Sequence, residues 1–186
     1  MFYYVFWLYI VAFFDLLIYN KLIKNLFLER GIYYGKKTWI WSSKRIWRYG
    51  NNLPVRKTKY SAGYDFEAAE DVTIPAYKPG VKPTLVKTGV KSYFGDDEVL
   101  ILANRSSNPK KKGLVLANGI GVIDADYYEN PDNDGHIMFA FYNIGDEDVT
   151  VCKGDAIGQG FFQKFLVTDD DSATGSRLGG FGSTSK

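Results

Sequence analysis

Residues 2–19 form an almost unbroken apolar run, interrupted only by Asp15. At a rise of ~1.5 Å per residue such a run just crosses a bilayer core of ~30 Å. No basic stretch precedes it and no small-residue cleavage site follows, so it does not read as a secretory signal peptide. Lys21, Lys24, Arg30, Lys36 and Lys37 come next, and the positive-inside rule would make the run an anchor with the rest of the chain in the cytoplasm. Residues 36–50 show neither helical nor alternating periodicity. From Leu53 the pattern changes to short apolar or alternating runs separated by turn signals. It predicts strands at 64–68, 72–74, 84–90, 98–102, 122–123, 137–142, 149–151 and 157–166. Turns fall at Lys78-Pro79-Gly80, Gly95-Asp96-Asp97, Asn130 to Gly135, and Gly145-Asp146. Residues 108–117 read as a short helix or a loop. With no long amphipathic helix, the chain from Leu53 is expected to be an all-β sandwich or barrel. The Gly, Ser, Thr and Asp tail, 169–186, is expected to be mobile when nothing is bound.

Composition sharpens this division. Residues 1–50 hold 8 Lys+Arg against 2 Asp+Glu, all four tryptophans, 16 of the 31 aromatics and no proline. The remaining residues hold 15 and 19, so the formal +2 is the sum of +6 and −4. A single cysteine, Cys152, excludes an internal disulfide, and with one histidine, His136, a His/Cys metal cage is out of reach. Cys152 reads as a core residue and His136 as a turn or strand residue.

The chain has no Walker lysine loop and no Gly-x-Gly-x-x-Gly after a strand. Four scattered groups carry the available chemistry. Asn104-Arg105-Ser106-Ser107 offers a guanidinium and two hydroxyls that suit phosphate. Asp124-Ala125-Asp126-Tyr127 puts two carboxylates on one side of a strand end. Gly154-Asp155 precedes the amide of Gln159. Arg177 to Thr184 brings a cation, an aromatic ring and two hydroxyls on the tail. Each alone has a plain structural reading as a solvated loop, a turn cap, a tight turn or a disordered end.

Their order is more specific. Ala62-Gly63-Tyr64-Asp65-Phe66, Asn104 to Ser107, Gly121-Val122-Ile123-Asp124-Ala125-Asp126-Tyr127, Gly154-Asp155-Ala156-Ile157-Gly158-Gln159, and Arg177-Leu178-Gly179-Gly180-Phe181-Gly182-Ser183-Thr184 resemble the five ordered motifs of the trimeric deoxyuridine triphosphatases, the dUTPases. The resemblance runs from about Leu53 to the C-terminus. It implies a β jelly roll (β-clip) homotrimer, preceded here by an atypical apolar segment, with each active site built from all three subunits. It implies magnesium-dependent hydrolysis of dUTP to dUMP and pyrophosphate, which keeps uracil out of DNA and supplies dUMP for thymidylate synthesis. No nucleic-acid partner is implied.

Carried over by motif, Asp124 activates the water that attacks the α-phosphorus. It also bonds the 3′-hydroxyl. Tyr127 stacks under the sugar and crowds a ribose 2′ position. Asn118 and the backbone of the hairpin after it read the uracil edge and reject a thymine methyl. Gly121, Ile123 and Met138 complete the substrate site. Arg105, Ser106, Ser107 and Gln159 hold phosphates. Arg177, Gly182, Ser183 and Thr184 close over the γ-phosphate with Phe181 on the uracil. Magnesium is held mainly by triphosphate oxygens, with Asp65 acting through water. Three positions depart from the family pattern: Ala156 stands where a basic residue is common, Glu129 where glycine is usual, and Ser185 where glycine is common. Asp126 reads as structural.

The resemblance divides the chain into a leader at 1–52, a β domain at 53–168 and a flexible lid at 169–186. Family members often begin with an Arg-Gly-Phe-x-Val-Val strand that is missing ahead of Leu53-Pro54. Read one base later, the codons for residues 34–52 can spell Met-x-Lys-Arg-Arg-Gly-Phe-Gly-Val-Val-Lys-Glu-Tyr-Gly-Asp-Met-Glu-Ile. Residues 1–52 are therefore read as largely an out-of-frame translation. The protein is then expected to be cytoplasmic, with a membrane partner only if the apolar segment is genuine. The alternatives are a regulatory protein-binding module on the same fold, a membrane-anchored dUTPase, and, as nearest enzymatic rival, a dCTP deaminase, which the Tyr127 and tail pattern fits less well.

Overall fold

Short strands dominate because β-branched and aromatic residues alternate between Gly, Pro and Asp punctuation that stops each run after a few residues. The computed structural model describes residues 39–42, 52–177, 179 and 180. The apolar run at 2–19 and tail residues 181–184 lie outside them. Among the described residues no helix is long and apolar enough to cross a membrane. The elements are β1 (Trp39–Ser42), β2 (Tyr64–Glu67), β3 (Val72–Ile74), β4 (Thr84–Lys87), β5 (Val90–Tyr93), β6 (Glu98–Asn104), α1 (Ser107–Lys112), β7 (Leu114–Leu116), β8 (Gly121–Ile123), a 3₁₀ turn at Ala125–Tyr127, β9 (Met138–Asn143), β10 (Val149–Val151) and β11 (Ala156–Lys164).

A four-stranded sheet, β2-β11-β6-β8, and a three-stranded sheet, β4-β9-β7, carry most of the core, with the ribbons β1-β5 and β3-β10 beside them. Named strand pairs are antiparallel throughout. In β9 alternate residues Phe139, Phe141 and Asn143 are buried, as a one-face-in strand requires. Phe66 and Leu100 from the larger sheet meet Val86, Leu114 and Phe139 from the smaller one in a single cluster. The Phe66 and Phe139 rings join the two sheets with centroids 5.6 Å apart. This is the expected all-β, jelly-roll-type architecture.

Four local expectations need correction. Residues 108–117, expected as a short helix or a loop, hold the end of α1 and then the strand β7, which pairs Val115 with Tyr142 on β9. The strand expected at 84–90 is two strands, because the chain turns at Thr88-Gly89. The Thr88 hydroxyl donates to the Ile137 carbonyl at 2.6 Å, and Gly89 takes φ +74, which suits glycine. The pattern-free stretch 36–50 supplies β1, which pairs Ile40 with Ser92 on β5, and Ile40 packs against the core. Cys152 is exposed rather than packed inside. Val151 takes the last inward position of β10, and Cys152 enters the next turn, its N–H donating to Asp155 Oδ2 at 3.3 Å.

His136 is buried just ahead of β9, and its Nε2 accepts the Gly89 N–H at 3.0 Å. Burial, reinforced by the charge of Lys87 and opposed by Glu70 and Asp134, lowers its pKa to about 4. The unfolded chain takes up this proton below about 6.5, whereas the folded chain resists it until about 4. The neutral ring's contribution is therefore complete above pH 6.5 and lost as pH falls toward 4. By pH 5 that loss amounts to about 2 kcal/mol. Urea unfolding at pH 7 and pH 5 should show it in the wild type and largely not in His136→Gln. An equal loss in the variant would assign the acid sensitivity to other groups.

Candidate active site

The short 3₁₀ turn after β8 organises one part of the site. Asp124 is extended (φ −82, ψ 159), and its carbonyl accepts the Tyr127 N–H at 3.1 Å. The turn reverses the chain so that Tyr127 enters the core at 6% exposure while Asp124 and Asp126 stay at the surface. The Tyr127 hydroxyl donates to the His136 carbonyl at 3.0 Å and accepts from Asn133 Nδ2 at 2.7 Å. Burial is the main cause of its raised pKa.

Asn118, Gly121, Ile123, Tyr127 and Met138 line one cavity of about 170 Å³ that Arg177 and Gly180 also reach. Asp124 lines a second cavity, of about 440 Å³, together with Asp126, Tyr93 and Tyr128. Arg177 borders both cavities. Its guanidinium pairs with Asp124 Oδ2 and, at 2.7 Å, with Asp126 Oδ1, and its Cζ lies 5.7 Å from the Tyr127 ring centre. The residue expected at the γ-phosphate thus rests on the two carboxylates, which supply the counter-charge a nearly buried guanidinium needs. Asp126, read as structural, is one of its anchors.

A second group gathers on the four-stranded sheet. Register places Gln159 of β11 opposite Asp65 on β2 and Ala103 on β6, so the three share a face. Arg105 follows β6 and donates from Nη1 to the Ala156 carbonyl at 3.3 Å. Ser106 and Ser107 begin α1. Buried Asn108 fixes that helix by donating to the Ile157 carbonyl at 2.7 Å and to Asn104 Oδ1 at 2.8 Å. Lys112 adds an ion pair to Asp155 at 2.9 Å, which holds the Asp155 carboxyl below the usual carboxylate range. Gly63 has a steric reason: a Cβ there would lie 2.5 Å from Gln159 Oε1.

None of Asp65, Arg105, Ser106, Ser107 or Gln159 lines either cavity. The first, second and fourth motifs therefore meet along β2, β11 and β6, outside the two cavities to which the third motif contributes. The fifth contributes Arg177 to both cavities and Gly180 to the smaller, while Phe181, Gly182, Ser183 and Thr184 lie outside the described residues. Among the described residues no three His, Cys, Asp or Glu side chains group as a metal cage. Asp65, a hard oxygen donor opposite Gln159, fits a magnesium ion carried chiefly by phosphate oxygens. Asn108, Lys112, Asp132 and Asn133 escaped the sequence reading. Asn108 and Lys112 lie in 108–117, legible there only as a short helix or a loop, and Asp132 and Asn133 in the polar run at Asn130 to Gly135, legible only as a turn.

Comparison with known proteins identifies the family. The dUTPase family model matches residues 51–185. The deoxyuridine 5′-triphosphate nucleotidohydrolase of Lactococcus lactis subsp. lactis is 52% identical over 137 residues, spanning 73% of this chain and 89% of that protein. The crystal structure of dUTPase from Streptococcus mutans superimposes with a TM-score of 0.60 at 50% identity, covering 63% of this chain and 88% of that one. A dUTPase from phage phi11 of S. aureus, described as coordinating a structural Mg(II) ion, has a TM-score of 0.57 at 18% identity. It covers 74% of this chain and 97% of that one, and shares the fold. A family match over most of the chain and a relative more than half identical place this protein in the dUTPase family of nucleotide hydrolases.

Proposed function

We propose that this chain hydrolyses dUTP to dUMP and pyrophosphate in a homotrimer whose active sites are shared between subunits. One observation supports the reading: Asp65, Arg105 and Gln159 line neither of the two cavities to which the third motif contributes. Two half-sites in one chain make a whole site where copies meet.

In the composite site Asn118 and the backbone around Gly121 read the uracil edge, and the same hairpin rejects a thymine methyl. Tyr127 lies under the deoxyribose. Asp124 takes the proton of the attacking water as that water adds to the α-phosphorus. Arg105, Ser106, Ser107 and Gln159 of a neighbouring copy hold the phosphates. Arg177 then exchanges its carboxylates for the γ-phosphate, with the rest of the arm closing over the substrate. Asp65 would help hold a magnesium ion through water, and the ion would supply withdrawal of charge from the triphosphate.

Asp124→Asn and Arg105→Ala trimers should each be nearly inactive alone. Co-refolded in equal amounts, they should recover up to about a quarter of the sites, because random mixing restores intact pairs of half-sites. A wild type active on dUTP with no recovery in the mixture would place the whole site within one chain.

The out-of-frame reading of residues 1–52 accompanies this proposal. The family match begins at residue 51. The codons of β1 (Trp39–Ser42) are those that spell Gly-Phe-Gly-Val in the shifted frame. Resequencing the gene decides it: nucleotides unable to encode the shifted peptide remove the idea.

A further inference from the structure

The turn at residues 129–135 is longer than a connection between the 3₁₀ turn and β9 requires, and it is built rather than loose. At its base Lys91 is only 3% exposed, although it is a lysine on a strand. Its Nζ reaches Glu129 Oε1 at 2.9 Å and Asp134 Oδ1 at 3.0 Å, and lies 4.8 Å above the Tyr128 ring. Glu129 (φ 55) and Asp134 (φ 60) both adopt left-handed backbone, which a non-glycine residue keeps only when its surroundings hold it there. The buried ammonium holds both carboxylates. Gly135 closes the turn at φ +75, where a Cβ would lie 2.9 Å from the Glu129 nitrogen and the Tyr127 carbonyl.

Inside the loop Asn130 donates to the Tyr127 carbonyl and to Asn133 Oδ1, both at 2.8 Å. Asn130 Oδ1 accepts the N–H groups of Asp132 and Asn133 at 3.1 Å. Asn133 is thereby fixed from several sides, and its Nδ2 reaches the Tyr127 hydroxyl at 2.7 Å. On the outer side Asp132 Oδ2 accepts the Gly180 N–H at 3.2 Å. A Cβ on Gly180 would come within 2.9 Å of Asn133 Nδ2 and 3.0 Å of Asp132 Oδ2, so the Gly180 backbone lies close against these two side chains.

We propose that this loop is a specificity element of the dUTP site, in which Asn133 sets the angle of the Tyr127 ring and Asp132 seats the C-terminal arm. The inference rests on the dUTPase reading above. A tyrosine ring can tilt away from a crowding hydroxyl at little cost. Here a tilt breaks hydrogen bonds to both His136 and Asn133, so a ribose 2′-hydroxyl meets a ring that does not yield. Asp132 and Asn133 touch the arm and the tyrosine, not the reacting atoms, and act as positioning residues.

The test measures kcat and KM on dUTP and UTP for wild type, Asn133→Ala, Tyr127→Phe and the double variant, with Asp132→Ala and Asp132→Asn alongside. Asn133→Ala and Tyr127→Phe should each reduce the preference for dUTP over UTP by about tenfold, and the double variant should lose no more than either. Asp132→Ala should raise KM for dUTP about fivefold with kcat nearly kept, and Asp132→Asn, which retains an acceptor, should restore it. Additive losses, or an unchanged preference, would overturn the role of Asn133. A KM indifferent to Asp132→Ala would overturn the arm seat. A wild type inactive on dUTP would instead defeat the reading of the site itself.

Discussion

Asp124→Asn is expected to lower kcat for dUTP by about 10³-fold while leaving the affinity for a non-hydrolysable dUTP analogue within a few-fold of wild type. Asparagine keeps the shape and one acceptor oxygen but cannot take the proton of an attacking water. The fold should not suffer, since Asp124 is half exposed and its ordering role, accepting the Tyr127 N–H, belongs to its backbone. Arg177 retains its second carboxylate partner, Asp126. Steady-state kinetics with calorimetric binding separates the outcomes. A drop of less than about tenfold would mean that another group activates the water.

Gly158→Ala is expected to be the most damaging methyl that can be added at any glycine among the described residues. Gly158 lies in β11 between β2 and β6, opposite Phe66 and Asn104. A Cβ there would sit 2.0 Å from Phe139 Cε1 and 2.6 Å from its Cδ1. Phe139 cannot swing aside, because it is stacked on Phe141 at 6.2 Å and packed against Phe66, all three fully buried. Relief requires moving β11, which carries Gln159. The cost should be about 3 kcal/mol or more, at the upper end of overpacking penalties. Urea denaturation should show it as a large fall in midpoint, and Gly175→Ala, whose Cβ would meet nothing within 4 Å, should show none.

The alternating runs and turn residues foretell most strands of the larger sheets, because one face of each is buried and period-two patterning follows. They miss β5 as a separate strand, since only the left-handed backbone of Gly89 and the Thr88 hydroxyl bond mark the break. They miss β1, which belongs to a two-stranded ribbon and needs no strict alternation. The motif residues are legible by their order, yet the meeting of three motifs along β2, β11 and β6 is not. Sequence order says nothing about which motifs share a face, whereas the β2-β11-β6 register does. Buried Lys91 is invisible for a related reason. Its counter-charges stand 38 and 43 residues away in a loop that reads only as polar. Asn133 likewise matters through a tyrosine whose partner is chosen by tertiary contact.

The most direct test of the account is hydrolysis of dUTP in ¹⁸O-water with mass analysis of both products. Water attack at the α-phosphorus predicts one ¹⁸O in dUMP and none in pyrophosphate, with the same product labelled about 10³-fold more slowly in Asp124→Asn. Label in the pyrophosphate, or dUDP and phosphate as products, would contradict it.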